Sequence, residues 1–223
     1  MRKIFLLSFD DGVIWDQWFV EMLNHYGIPC TFNLNSGLED FVWHYGSHPI
    51  RRLRLAESKH IYDGHEIASH TLHHNWLDAQ TDEQLTWEVS EDVRRLKLIF
   101  GKEKLGFAVP FTACGEREVE VIKPHVSYIR LSQETDSFAL PKDPYHIPIS
   151  SLYNDPKIRD KIKDFAENDL DVSVFVLVGH TYEFEVLHQW EYMEELLKYI
   201  KTFEFEFMTT MEFVEEFFPA TVV

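Results

Sequence analysis

Three groups of side chains in this sequence have types and spacings suited to chemistry. Asp10 and Asp11 stand side by side after an apolar run and just before Gly12. Two adjacent carboxylates at the end of a strand seldom serve packing, because each has to be kept solvated or matched with a partner. In extended backbone their side chains diverge, so one can hold a cation while the other handles a proton. A solvated acidic turn closed by the glycine is the alternative. The second group is Gly64-His65-Glu66-Ile67-Ala68-Ser69-His70-Thr71-Leu72-His73-His74. On a helical turn, the spacing of His70 and His74 puts both imidazoles on one face, within reach of one ion. A carboxylate from elsewhere would complete a two-histidine, one-carboxylate set with open positions, as in zinc hydrolases and non-haem iron enzymes. Spacing leaves pairings through His65 or His73 open, and surface histidines on a polar loop are the alternative. The third group is His180, which closes another apolar run.

These residues need elements to position them. Residues 4–9 form an apolar run that reads as a buried strand. Trp15, Trp18, Phe19, Met22, Leu23 and Tyr26 recur at helical spacing up to a stop at Gly27. A second strand is expected at 29–34, with further strands at 126–131 and 173–178. Thr81 and Gln84 make a capping box, from which a helix runs to Gly101. Another helix is expected at 191–199. Strands alternating with helices imply a parallel sheet with helical cover, either a barrel or an open doubly wound sheet. In both architectures chemistry sits at the carboxyl ends of strands, where all three groups fall.

Composition narrows the partners. With 21 Lys+Arg against 38 Asp+Glu, the formal net charge is −17. Such a surface repels phosphate backbones and anionic membranes, so neither nucleic acid nor membrane is expected as a partner. The chain is 45% hydrophobic and 15% aromatic, enough for a core and contrary to disorder. Without a linker, repeat or low-complexity tract, one domain over residues 1–223 is expected. Cys30 and Cys114 have no zinc-cluster spacing and read as idle thiols. The opening Met1-Arg2-Lys3 with its apolar run resembles a signal peptide, but breaks too early at Asp10, so a cytoplasmic location is expected.

Ser8-Phe9-Asp10-Asp11-Gly12, then His70-Thr71-x-x-His74 behind the lead-in Gly64-His65-Glu66-Ile67, then an apolar strand ending at His180, together resemble the polysaccharide deacetylase family, carbohydrate esterase family four. The resemblance spans at least residues 4–180, and a strand at 207–209 followed by a helix at 212–217 suits the family's closing elements. It implies an α/β fold, a distorted (β/α) barrel of about seven parallel strands. It also implies metal-dependent hydrolysis of an N-acetyl group. Asp11, His70 and His74 would hold one divalent ion, expected to be zinc, with cobalt, nickel, manganese or iron also compatible with such ligands. Asp10 would be the general base and His180 the general acid, and the Phe111 backbone N–H would receive the oxyanion.

One family feature is missing. Where the family has Arg-x-Pro-Phe/Tyr, with the arginine steering the base, this chain has Ala108-Val109-Pro110-Phe111. Arg130, in the strand expected at 126–131, could supply that guanidinium from another place; an ordinary surface arginine is the alternative. The family's acid-orienting Asp motif is not recognisable, with Asp136, Glu183 and Glu185 as candidate partners of His180. The expected substrate is an N-acetylated sugar or oligosaccharide. Alternatives are a small non-sugar amide, or a relative that binds metal or glycan without hydrolysis. Trp43, Tyr45, Trp76 and Tyr182 lie near the rim segments and could stack on sugar faces or belong to the core. The basic stretch at 38–60, with Arg51, Arg52 and Arg54, could grip an anionic group or be a solvated loop and helix.

Overall fold

In the computed structural model, which describes residues 1–219, the first apolar run forms strand β1 (Arg2–Asp10) and leads into helix α1 (Asp16–Tyr26). Strand β2 (Thr31–Leu34), a hairpin of β3 (Val42–Tyr45) and β4 (His48–Arg51), helix α2 (Leu55–Ser58) and β5 (Glu66–Ser69) follow. Next come α3 (Asp82–Phe100), β6 (Phe107–Ala108), α4 (Glu116–Ile122), β7 (Ile129–Glu134), β8 (Ile147–Ile149) and β9 (Ser151–Leu152). The chain continues with α5 (Ile158–Glu167), β10 (Val172–His180), α6 (Thr181–Val186), α7 (Trp190–Ile200), β11 (Glu206–Phe207) and α8 (Thr210–Phe217).

Nine strands make one parallel sheet in the order β8-β7-β6-β5-β2-β1-β10-β9, with β11 added beside β1. β8 and β9 lie at opposite ends of that order, yet only Ser150 separates them in the chain. The Ser150 N–H donates to the Val176 carbonyl of β10 at 2.9 Å. The sheet is therefore rolled until its two ends meet through continuous backbone, with no ladder between them, which is the distorted barrel the resemblance implied. The strands exceed the expected number because β6, β9 and β11 have two residues each, too few to show a period.

Two-residue alternation sorts the strands' side chains. Phe5, Leu7 and Phe9 face outward into the cluster formed with the helices, while Ile4 and Leu6 join Val174, Val176 and Val178 in an inner cluster. Continuing the inward series gives Ser8 and Asp10 on β1 and His180 on β10, and the register places Asp10 beside both His180 and Asn33. The barrel is thus apolar in its lower half and polar at the strands' carboxyl ends. Phe213 and Val214 of α8 close the amino end of the interior. The Thr210 N–H donates to Thr31 Oγ1 at 3.0 Å and the Met211 N–H to Glu66 Oε2 at 2.8 Å, which pins the start of that helix.

The Thr81 capping box forms as expected, with both reciprocal bonds present, and Gly27 ends α1 at φ 63. The strand expected at 126–131 instead runs Ile129–Glu134, because a turn of 3₁₀ helix (Lys123–His125) takes up its approach. Thr209, read as the end of a strand, is the N-cap of α8. The basic stretch 38–60 folds as the hairpin β3–β4 followed by the short helix α2. Cys30 is buried, Cys114 half-buried, and both are free thiols. Among the described residues no helix is long and apolar enough to cross a membrane. Because Phe213 is fully buried, Phe213→Ala should lower the unfolding free energy by about 3–5 kcal/mol in a denaturant titration. A loss below about 1 kcal/mol would show that the interior closes without α8.

Candidate active site

Asp10, Asp11, His70, His74, Phe111, Arg130 and His180 all line one cavity of about 370 Å³ at the carboxyl ends of the strands. Asp10 reaches it as the last inward residue of β1. Asp11 reaches it because its φ of 89 breaks the extended backbone, so its side chain turns back beside that of Asp10. Gly12 continues the turn at φ 66, and a Cβ there would meet Leu34 Cδ2 at 2.9 Å.

Each carboxylate has a guanidinium partner. Asp10 Oδ1 accepts from Arg130 Nη2 at 2.5 Å and from Asn33 Nδ2 at 2.7 Å. Arg130 is 2% exposed and stands opposite Ala108 in the β6–β7 register. Its guanidinium therefore comes from the strand next to the position where the family carries arginine, on the same face. Asp11 Oδ1 accepts from Arg52 Nη2 at 2.9 Å, and Arg52 Nη1 donates to the Asp11 carbonyl and to Asn35 Oδ1. The Arg52 guanidinium also lies over the Trp43 ring, 4.9 Å from its centroid. Of the basic stretch, then, Arg52 is turned inward, while Arg54 is exposed and pairs with Asp40 and Glu57. Burial pushes both carboxyls up, but the guanidinium beside each, helped by nearby histidines, more than reverses this and keeps both below the usual range.

The two imidazoles meet by a route other than the expected helical turn. Residues 70–76 form a loop in which Thr71 and His74 have φ of 64 and 54, and the rings of His70 and His74 lie 4.9 Å apart. Asn35 Nδ2 donates to the carbonyls of His70 and Thr71. Glu88 of α3 accepts from the His73 N–H at 2.9 Å, pairs with His73 Nδ1 at 2.8 Å and accepts from Asn75 Nδ2 at 3.2 Å. Asp92, one turn further along α3, accepts from the Ser36 N–H, Ser36 Oγ and Ser69 Oγ. Four of the site's residues, Asp11, Thr71, His74 and Phe111, hold positive φ, a conformation that costs non-glycine residues about 1–3 kcal/mol each. The hydrogen bonds from Asn35 and to Glu88 hold the loop that contains two of them, Thr71 and His74.

Asp11, His70 and His74 each present a ligand atom, all within 4.8 Å of one another. His70 Nδ1 lies 2.8 Å from the Ala108 carbonyl, which makes Nδ1 the protonated nitrogen and leaves Nε2 with a lone pair. Burial pushes His70 down to about 3 and also lowers His74, so both rings are neutral beside an ionised Asp11. A charged carboxylate and two neutral imidazoles fit a divalent ion. The other histidines left open by spacing are directed elsewhere: His65 Nδ1 accepts the Cys30 N–H, and His73 faces Glu88. On His180 burial works downward, but Glu183, 3.6 Å from Nδ1, together with Asp11 and Asp10, raises it to about 9, so the ring is cationic. Glu183 is thus the partner among the candidates, while Asp136 lies exposed after β7. Phe111 has φ 57, and among the described residues its N–H has no hydrogen-bond partner. Trp43 and Tyr45 pack around Tyr182, and Trp76 lies on Phe111, so the four expected rim aromatics gather at the cavity mouth.

A sequence profile of the polysaccharide deacetylase family matches residues 1–125, more than half of the chain. The chain belongs to the polysaccharide deacetylase family. This membership indicates a hydrolase acting on amide bonds. No curated protein is similar enough in sequence to count as a match. The fold of this family member is shared by the Xyl-CE4 domain of a multidomain xylanase from the hindgut metagenome of Trinervitermes trinervoides (18% identity, TM-score 0.61, 97% of this chain and 91% of that one). It is shared by a family 4 carbohydrate esterase from Bacillus anthracis (16%, TM-score 0.61, 96% and 83%). It is shared also by the chitin deacetylase of the fungal pathogen Colletotrichum lindemuthianum (14%, TM-score 0.66, 95% and 87%).

Asn33, Glu88 and Asp92 were not singled out from the sequence of this family member, and Arg52 was named there only as one of the arginines of the basic stretch. Asn33 had a signal, two residues after Thr31 on an otherwise apolar strand. Glu88 and Asp92 had one too, as carboxylates four apart among the apolar positions of α3. Behind His180, Thr181 Oγ1 donates to Asp16 Oδ1 at 2.5 Å and the Tyr62 hydroxyl to Oδ2 at 2.7 Å. Burial pushes this carboxyl up from 3.8 to about 7. Between those values the folded chain holds a proton that the unfolded chain has released, so this stability is present below about pH 4 and lost as pH rises through 7. In Asp16→Asn both hydroxyls keep a partner and no proton is lost. Denaturant titrations from pH 4 to 8 should show the parent falling relative to the variant by on the order of 2–4 kcal/mol. Parallel profiles would remove Asp16 as the cause.

Proposed function

We propose that the protein is a metal-dependent N-deacetylase that hydrolyses the acetyl amide of an N-acetylated sugar or oligosaccharide. The observation that carries this reading is the division of Asp10: Oδ1 is held by Arg130 and Asn33, while Oδ2 is directed to the cavity, 3.9 Å from His70 Nε2. A buried, ionised carboxylate with one oxygen fixed and one free is the arrangement a general base needs.

Asp11, His70 and His74 are the residues that would hold the ion, zinc by preference. Bound there, it would supply Lewis-acid activation of the carbonyl and of water. The chain's own groups do the rest. Asp10 Oδ2 removes a proton from the attacking water as its oxygen bonds to the acetyl carbon. The Phe111 N–H faces the oxygen that gains charge. His180, cationic through Glu183 and the two aspartates, donates a proton to the departing nitrogen as the C–N bond breaks, which releases acetate and the amine. Arg130 keeps Asp10 ionised and fixes its rotamer, the part that the family assigns to the arginine missing at Ala108. Val109, Ile149, Leu152 and Val178 line the same cavity and suit the methyl of an acetyl group. The chitin deacetylase and the Xyl-CE4 domain of the xylanase that share this fold support a carbohydrate substrate.

Elemental analysis should find divalent metal retained in the purified protein, and amine release from N-acetylated sugars should stop with chelator and return with metal. His74→Ala should lose the metal and Asp10→Asn should keep it without turnover. A parent that neither keeps metal nor releases amine with any metal restored would end the enzyme reading, and activity confined to non-sugar amides would move the substrate. Arg130 touches Asp10 and not the three ligands, so Arg130→Ala should lower kcat on the order of 100-fold with metal content unchanged. Equal turnover in Arg130→Ala and parent would remove Arg130 from the site.

A further inference from the structure

A second groove, of about 620 Å³, lies between residues 75–80 and the start of α3 and is not used by the chemistry above. Two tryptophans line it. Trp76 is 47% and Trp87 52% exposed, and two large rings left half in water along one groove mark a binding surface more than a chance of composition. Both rings are held in place. Trp76 lies flat on Phe111, 4.1 Å away at 3°, and Phe111 in turn lines the catalytic cavity. Trp87 stacks on His73 at 5.8 Å, and His73 is fixed by Glu88. The groove and the cavity therefore share the Phe111–Trp76 stack as a common wall.

The rest of the lining decides the ligand class. Asn75, Gln80 and Gln84 offer amides and Glu83 a carboxylate, groups suited to hydroxyls and amines. Among the described residues none that lines the groove is basic, which disfavours phosphate or carboxylate ligands. Flat aromatic faces ringed by neutral and acidic hydrogen-bonding groups match a pyranose, whose C–H face is apolar and whose edge is polar. We propose that this groove is a distal subsite that holds a further pyranose ring, neutral or amino-bearing, of the same glycan chain that presents an acetyl group to the catalytic cavity. The proposal rests on the deacetylase reading and makes that substrate a chain longer than the cavity alone accepts. The ordered platform requires little rearrangement on binding.

The test separates binding from turnover. Calorimetric titration with a glucosamine tetramer, which carries no acetyl group, should give a Kd that weakens about tenfold in Trp87→Ala and recovers largely in Trp87→Phe. With acetylated substrates, the ratio of kcat/KM for tetramer over dimer should fall about tenfold in Trp87→Ala. An unmoved tetramer Kd, or an unmoved ratio in an active enzyme, overturns the subsite and leaves the deacetylase reading standing. Tetramer binding that Trp87→Ala weakens, in a protein that hydrolyses no acetylated sugar, keeps the subsite and defeats that reading. Light scattering that shows a dimer dissociated by Trp87→Ala, with tetramer Kd unchanged, would assign the groove to a second copy and overturn the proposal.

Discussion

Two carboxylates on adjacent residues, both almost wholly buried, can stay ionised together only if each has a positive charge of its own. Asp10 and Asp11 are each 5% exposed, and at such depth like charges normally force one group to keep its proton. Here Arg130 approaches Asp10 from β7 and Arg52 approaches Asp11 from the far end of the hairpin. Much of the surrounding structure answers to these two pairs. The hairpin β3–β4 is what returns Arg52 to the site, where it bridges to Val13. Asn33 adds a donor to Asp10 and Asn35 an acceptor to Arg52. A buried ion pair is weak evidence of stability, since removing it for apolar residues is often neutral. Its retention here, next to two neutral imidazoles, is better explained by a site that needs two charged oxygens facing one cavity.

The division between the two aspartates follows from backbone geometry. Extended backbone alone would send them to opposite faces of the sheet, and the positive φ at Asp11 overrides that separation. Both then face the cavity with different duties: Asp10 has its Oδ1 occupied by donors, while Asp11 faces the imidazoles, its Oδ1 3.5 Å from His74 Nε2. The formal charge of −17 has little part in this. The charges that matter here are local, and those of Arg52, Arg130 and His180 are positive.

Much of this was legible in the sequence because it depends on short-range rules. The inward parity of β1 and β10 is written in Ile4, Leu6, Ser8 and Asp10 and in Val174, Val176, Val178 and His180, and the helices α1 and α3 announce themselves by period and caps. What was not legible depends on contacts between distant segments. Nothing local to Arg52 distinguishes it from the exposed Arg51 and Arg54, because only the return of the hairpin decides which of the three faces inward. The spacing of His70 and His74 suggested a helical turn because that is the simplest local way to bring the two rings together. The loop that does so instead depends on Glu88 and Asp92, which lie in the following helix and accept the hydrogen bonds that hold it.

The substitution of alanine at 108 bears on how a motif should be understood. In a parallel sheet, residues paired in register point to the same face and lie on strands only about 5 Å apart, so Ala108 and Arg130 open onto the same space. A long, flexible guanidinium can reach one carboxylate from either strand, provided the other position carries a small side chain; two such groups would compete for the volume beside Asp10. Alanine at 108 and arginine at 130 therefore form one arrangement and not a loss with an unrelated gain. The quantity that the site needs is a positive charge on the inner face, within hydrogen-bonding distance of Asp10 Oδ1. A sequence motif records only one of the chain positions from which that charge can be delivered.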